Sequence, residues 1–213
     1  MKIKVFQFNP LGVNTYVLSD VDGTSIIIDP SCFYQDEKDL LLNYIIDNDL
    51  KLIRLLNTHL HFDHIFGNDF IYQQFGLLPE ANKADENLNH SFKKQLLKFG
   101  FFNYNGSTPE IGTYLNENDI ISCGNIKLKV LAVPGHSPGS IVFYNEENEC
   151  AFVGDVLFRG SIGRTDLEGG NFDQLIHGII NKFFRLSNGI VIYPGHGPST
   201  TIGEEKKNNP FLD

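Results

Sequence analysis

Residues 58–64 read THLHFDH, which places three histidines and an aspartate within six residues, directly after the apolar run KLIRLLN. No packing requirement explains such a group, because burying unpaired imidazoles and a carboxylate is costly. In an extended segment positions i and i+2 project to the same side, so His59 and His61 can grip one metal ion together. A turn into helix at 63–64 would carry Asp63 and His64 to a neighbouring position. Neutral imidazole suits zinc, iron or manganese, and a carboxylate adds charge to hold a second cation. Two such ions, roughly 3.5–4 Å apart, share a water whose pKa drops from about 15.7 towards about 7. A chain built around this heptapeptide is therefore expected to make hydroxide at neutral pH.

Three further groups complete the set. PGHSPGS at 134–140 follows the apolar run IKLKVLAV, and PGHGPST at 194–200 follows IVIY; they supply His136 and His196. Asp155 lies in CAFVGDVLF. A lone Pro-Gly-His is most simply a turn with a surface histidine, and a lone Gly-Asp says less still. Beside THLHFDH they acquire meaning, since all four groups sit at the ends of predicted strands, where sheet scaffolds gather functional side chains. His90 has no partner motif and His177 falls on the polar side of a predicted helix, so neither receives a role.

Periodicity predicts strands at 2–8, 15–19 and 24–29, then a helix within 36–50 with Leu41, Tyr44, Ile45 and Asn48 at helical spacing. Asp36 and Glu37 stand in its first turn, where the helix dipole favours acids. A strand at 51–58 and a helix beginning within 64–76 follow. The stretch 79–122 is the least regular: a helical piece at 87–100, the aromatic FFNY, then a Gly/Ser/Thr/Pro loop. It reads as an insertion in a single domain spanning 1–213. Beyond it come strands at 126–133, 140–145 and 149–153, a helix at 172–186 and a strand at 190–193. In that helix Phe172, Leu175, Ile176, Ile179, Ile180 and Phe183 form an apolar stripe. Strands in runs with helices between them predict a mixed α/β domain, two sheets carrying helices.

Composition narrows the partners. A net charge of −9 over 213 residues argues against broad binding to nucleic acid or anionic membrane, which needs clustered Lys and Arg. No run approaches the roughly 20 apolar residues of a membrane helix, and the first residues read as a strand rather than a signal peptide. Cys32, Cys123 and Cys150 are odd in number and form no CxxC pair, against both a disulfide framework and a thiolate zinc site. A reducing cytoplasm is the expected compartment.

THLHFDHIFGN, PGHSPGS, GDVLF and PGHGP, in this order and with IIIDP at 26–30, resemble the metallo-β-lactamase superfamily from about residue 10 to 210. The resemblance implies a four-layer αβ/βα sandwich with metals at one edge between the sheets. A two-fold repeat of that sandwich would account for the likeness of the two PGH phrases. The resemblance further implies His59, His61 and His136 on one divalent ion and Asp63, His64 and His196 on a second, with Asp155 bridging and Asp29 behind the ligands, orienting the loop. Zinc is the expected metal, with iron or manganese as alternatives, and Asp63 and Asp155 are the expected catalytic carboxylates.

Within the superfamily, LFRGSIGRTD and the ending GHGPSTTIGEEKKNNPFL are similar to glyoxalase II-like hydrolases, which implies hydrolysis of a small-molecule thioester by a hydroxide bridging two metals. Cys150 stands five residues too early to act as a thiolate ligand, and His61 stands where the diiron flavoprotein branch carries a carboxylate. Glyoxalase II has a long helical C-terminal extension that contacts glutathione; here seventeen residues follow His196, so the hydrolytic machinery carries over and glutathione recognition does not. Arg164 occupies the place of a basic substrate contact, and a salt bridge with Asp166 is an equal alternative. The other reading of the site is a persulfide dioxygenase holding one iron on His59, His136 and Asp155; a non-catalytic metal-binding module comes third. Within 79–110, Lys83, Lys93, Lys94 and Lys98 alternate with Phe92, Phe99, Phe101 and Phe102. That pattern suits a lid over an anionic thioester, but an amphipathic helix with Phe on the core and Lys in water explains it more simply.

Overall fold

The computed structural model describes residues 1–212. The chain begins with an antiparallel meander, β1 (Lys2–Phe8), β2 (Val13–Ser19) and β3 (Thr24–Ile28). Helix α1 (Gln35–Asp47) then crosses over to β4 (Lys51–Leu56), which lies parallel to β3. Glu37 sets the start of α1: its carboxylate accepts hydrogen bonds from the backbone N–H groups of Phe33 (2.7 Å), Tyr34 (3.0 Å) and Asn9 (2.7 Å). The first two are backbone donors at the helix start, and the third ties the turn after β1 to the helix. Helix α2 (Asn68–Phe75), β5 (Pro79–Ala81), α3 (Glu86–His90), α4 (Phe92–Lys98) and β6 (Thr113–Tyr114) follow, and the sheet runs in simple order from β1 to β6.

The second half repeats the plan. Strands β7 (Ile120–Cys123), β8 (Ile126–Ala132), β9 (Ile141–Asn145) and β10 (Cys150–Gly154) form the meander. A small hairpin, β11 (Leu157–Phe158) and β12 (Ser161–Ile162), precedes α5 (Phe172–Asn181), which crosses to β13 (Val191–Pro194), parallel to β10. Strand β14 (Thr200–Thr201) and α6 (Ile202–Asn208) end the described chain, and the second sheet has the order β14-β13-β10-β9-β8-β7.

The sheets pack face to face. Tyr16, Leu18, Ile26 and Ile28 from the first meet Leu128, Val130, Phe143 and Phe152 from the second. On the outer faces Ile27 and Leu55 pack against Leu41 and Ile45 of α1, while Ala151 and Ile192 pack against Leu175 and Ile179 of α5. Strands covered on both faces are apolar at successive positions, which is why Ile26, Ile27 and Ile28 are all fully buried. The result is the expected four-layer αβ/βα sandwich. No described helix is long and apolar enough to cross a membrane.

Three expectations change. The stretch 79–122 is not simply an insertion, because β5, β6 and β7 pair within the two main sheets; strands of two to four residues are too short to show a period of two. The helix expected over 172–186 stops at Asn181 and gives way to a 3₁₀ turn at Phe183–Arg185. Finally, both PGH phrases follow strands of the second sheet, β8 and β13, so the repeat between halves does not relate them. The counterpart of β13 in the first half is β4, which leads into THLHFDH, and the counterpart of Asp155 after β10 is Asp29 after β3.

Candidate metal centre

Five strand ends converge on one edge of the sandwich. Asp29 follows β3 in a left-handed conformation (φ 48°), residues 58–64 follow β4, His136 follows β8, Asp155 follows β10 and His196 follows β13. The expected turn within THLHFDH is present as a 3₁₀ turn over Phe62–His64, which brings Asp63 and His64 towards His196 while the His64 ring stays beside that of His59 (4.1 Å between ring centres). At the start of β2, Asn14 joins the two sheets beside the site: its N–H donates to the Gly195 carbonyl (2.7 Å) and its Nδ2 to those of Pro194 (3.0 Å) and Gly197 (2.9 Å).

The seven expected ligands come together as two groups sharing one carboxylate. His136 Nε2 lies 2.9 Å from His61 Nδ1 and 3.2 Å from His59 Nε2. In the second group His196 Nε2 is 3.5 Å from Asp63 Oδ2, and Asp63, His64 and His196 can each offer one atom to a common ion. Asp155 stands between the groups. Its Oδ2 is 3.7 Å from His136 Nε2 and 3.6 Å from His196 Nε2, and its Oδ1 is 3.3 Å from His64 Nε2. His64 Nε2 and Asp155 Oδ1 are fully buried, yet neither makes a hydrogen bond of acceptable geometry. Buried polar atoms normally have partners, and a divalent cation satisfies both of these together with the inward-facing imidazole nitrogens.

The comparisons with known proteins agree with this arrangement. Residues 8–196 match the family model of the metallo-beta-lactamase superfamily. The chain belongs to that superfamily. It is 36% identical over 214 residues to hydroxyacylglutathione hydrolase GloC of Haemophilus influenzae, covering 100% of this chain and 99% of the relative. Among solved structures it is similar to BLEG-1, a B3 metallo-beta-lactamase, with a TM-score of 0.89 and 31% identity over 99% of each chain. ETHE1 from Myxococcus xanthus superposes with a TM-score of 0.79 at 26% identity, covering 99% of this chain and 84% of the other.

The rear of each imidazole shows how this member of the superfamily holds its site. Asp29 accepts from Thr58 N–H (2.8 Å), Thr58 Oγ1–H (2.6 Å) and His64 Nδ1 (3.0 Å). Thr58 Oγ1 in turn lies 3.1 Å from His59 Nδ1. His136 Nδ1 donates to the Arg164 carbonyl (2.8 Å) and His196 Nδ1 to that of Leu11 (3.1 Å). Each of these bonds leaves Nε2 as the ring nitrogen that faces inward. Asp29, His59 and His64 also approach one another, but the Asp29 oxygens are already occupied by these three donors, which place Asp29 behind the His64 imidazole.

Electrostatics differ between the groups. Burial and the neighbouring imidazoles push His59 well down and His61 down to about 3, so both are neutral at pH 7. Burial also works against charge on His64, but Asp155, Asp63 and Asp29 outweigh it and raise its pKa well above the usual histidine value. Burial would raise Asp63 and Asp155; the His64 charge overrides it, and both carboxyls fall below their usual range. His59 and His61 thus offer neutral nitrogen, whereas Asp63 and Asp155 offer carboxylate beside a protonated His64 whose proton a cation must displace.

Two supporting residues are invisible in the motifs. Asp85, just ahead of α3, is fully buried and accepts from Leu60 N–H (3.1 Å), Ser137 Oγ–H (2.7 Å) and Gly139 N–H (2.6 Å). It therefore ties the loop between His59 and His61 to the turn carrying His136. Burial raises its pKa, and the three donated bonds oppose that rise. Gln95 of α4 accepts from Phe62 N–H (3.2 Å) and donates to the carbonyls of Leu60 (3.3 Å) and Leu88 (2.8 Å). Asp and Gln in a polar helical segment look like solvated side chains, so no sequence signal marks them. The Arg164 side chain forms a two-pronged pair with Asp166 (2.7 and 2.8 Å), as the alternative reading expected, and it also lines the cavity. That cavity, of about 310 Å³, opens over His61, Asp63, His136, Asp155 and His196.

Proposed function

We propose that this chain hydrolyses small-molecule acyl thioesters at a dinuclear metal centre, in the manner of glyoxalase II. The observation that carries the reading is Asp155: one buried carboxylate faces His136 on one side and His64 and His196 on the other. His59, His61 and His136 would hold one ion, Asp63, His64 and His196 the other, and Asp155 both; zinc is the expected metal. When bound, the two ions supply a Lewis acid for the thioester carbonyl and a water acidified towards neutral pH. The protein's part is positioning. Asp29, Thr58 and the carbonyls of Leu11 and Arg164 lock four imidazoles with Nε2 inward. Asp63, at the cavity wall, keeps its carboxylate ionised and can orient the attacking water. Water oxygen bonds to the acyl carbon, the C–S bond breaks, one water proton goes to the departing sulfur and the other to solvent, and a carboxylate and a thiol leave. Phe62, Phe99 and Leu167 line the same cavity and limit bulk water around the scissile bond. The 36% identity to a hydroxyacylglutathione hydrolase over the full chain supports this choice of bond. The three cysteines are free and buried, in keeping with a reducing cytoplasm.

Metal analysis paired with a substrate panel tests the reading. Two metals per chain and turnover of S-lactoylglutathione or a simple acyl thioester are expected; a fully loaded protein inert towards every thioester overturns it. The second reading rests on the approach of His59, His136 and Asp155, which also fits a single iron, and on the likeness to ETHE1. About one iron per chain, with oxygen consumed on adding glutathione persulfide, would establish it. A chromogenic cephalosporin belongs in the panel because of the likeness to BLEG-1.

A further inference from the structure

The cavity over the metal centre does not end there. A second, narrower one of about 40 Å³ shares His61, Phe99 and Leu167 with it and continues along α4, past Gln95, to Lys94 and Lys98. The two lysines are one helical turn apart and so present a common face. Neither ammonium is committed to a close partner. Lys94 reaches only Glu168, at 3.8 Å, with both side chains about four-fifths exposed, and Lys98 lies 5.9 Å above the Phe99 ring. The other cations of the region lie elsewhere: Arg164 is held two-pronged by Asp166, Lys83 sits over Tyr114, and Lys93 lines a separate groove with His90 and Glu110.

Helix α4 is a fixed wall rather than a lid. Phe92 and Leu96 are buried in the cluster with Phe62 and Phe66, and Gln95 is hydrogen-bonded to backbone on both sides of His61. Phe99 stacks on Phe62 with 4.9 Å between ring centres, so the apolar floor of the channel is anchored to the same loop. The lysine pair is thereby held in a set relation to the reacting centre. On a chain of net charge −9, two exposed lysines at the end of an apolar channel, countered there only by the loosely paired and exposed Glu168, favour an anion.

We infer that Lys94 and Lys98 form a subsite for an anionic group, a carboxylate or phosphate, carried on the arm of the substrate that runs from the metal centre along Phe99 and Leu167. This inference rests on the thioester reading for the identity of the reacting bond, but the recognition step is separable from turnover. The test uses two thioether analogues that cannot be hydrolysed, S-butyl-3-mercaptopropionate and its methylamide, titrated calorimetrically into zinc-loaded protein at low salt. Wild type is expected to bind the carboxylate about fivefold more tightly than the amide, the worth of two exposed ion pairs. In the Lys94→Gln/Lys98→Gln double variant that preference should vanish, as it should for wild type in high salt. Equal binding of the two analogues by wild type, or a preference that survives in the double variant, overturns the subsite. Parallel assays of S-acetyl-3-mercaptopropionate and its methylamide separate the two claims. Thioester hydrolysis without any charge preference removes the subsite alone, whereas a lysine-dependent binding preference in a protein inert towards these and every other thioester of the panel removes the thioester reading alone.

Discussion

The two turns spelled Pro-Gly-His do different physical work. Gly135 has φ +135°, and a Cβ there would lie 2.4 Å from the Leu175 backbone nitrogen, so this turn is pressed against the start of α5. A Cβ on Gly195 would instead meet Asp155 Oδ1 at 2.2 Å and His64 Cε1 at 2.6 Å. The first glycine lets a helix dock; the second lets a strand end approach the carboxylate between the two ligand groups. Their histidines differ too. His136 is buried, its loop braced by the Asp85 carboxylate, while the His196 side chain is about a quarter exposed at the cavity mouth and its loop is braced by the Asn14 amide. Identical words therefore report local turn geometry, and their surroundings assign the role.

Substitutions can break this comparison. Gly135→Ala should have the largest effect on folding, about 3 kcal/mol, because both the backbone conformation and immovable backbone atoms oppose a side chain. Chemical denaturation of the metal-free protein would show it; a loss no greater than that of Gly195→Ala would remove the distinction. Asp85→Asn should cost less, about 2 kcal/mol, since a buried amide cannot accept from all three donors. The same variant should weaken metal binding about tenfold by loosening His61 and His136, an effect read by competition with a chelator. Gly195→Ala should disturb folding least, because Gly195 has no left-handed φ and the nearest backbone atom a Cβ would meet, Gly154 C, lies 3.1 Å away, yet the Cβ displaces Asp155 and His64. Metal affinity is expected to fall about 10- to 100-fold, with the loss falling first on the second ion; unchanged stoichiometry would contradict this.

Much of the site was legible because its chemistry is concentrated. His59, His61, Asp63 and His64 fall within six residues, and a strand followed by a turn is enough to divide them between two positions. The long strands and α1 were legible for a similar reason: their periods extend over enough residues to be counted. Short β5, β6, β11, β12 and β14 were not, since pairing with longer neighbours creates them. Asp85 and Gln95 escaped notice because their roles consist of hydrogen bonds to backbone 25 to 54 positions away, at Leu60, Phe62 and Gly139. Lys94 and Lys98 were visible only as members of an alternating run, and helix packing alone separated them from Lys83 and Lys93.

By itself the sequence determined which imidazoles and carboxylates gather at strand ends and the superfamily to which the chain belongs, because their spacing is a local, covalent property. The tertiary structure decided which atoms face inward, which carboxylate stands between the groups, and where the cavity runs. Those depend on contacts between residues far apart in the chain, and only the closure of the two sheets brings them within hydrogen-bonding distance.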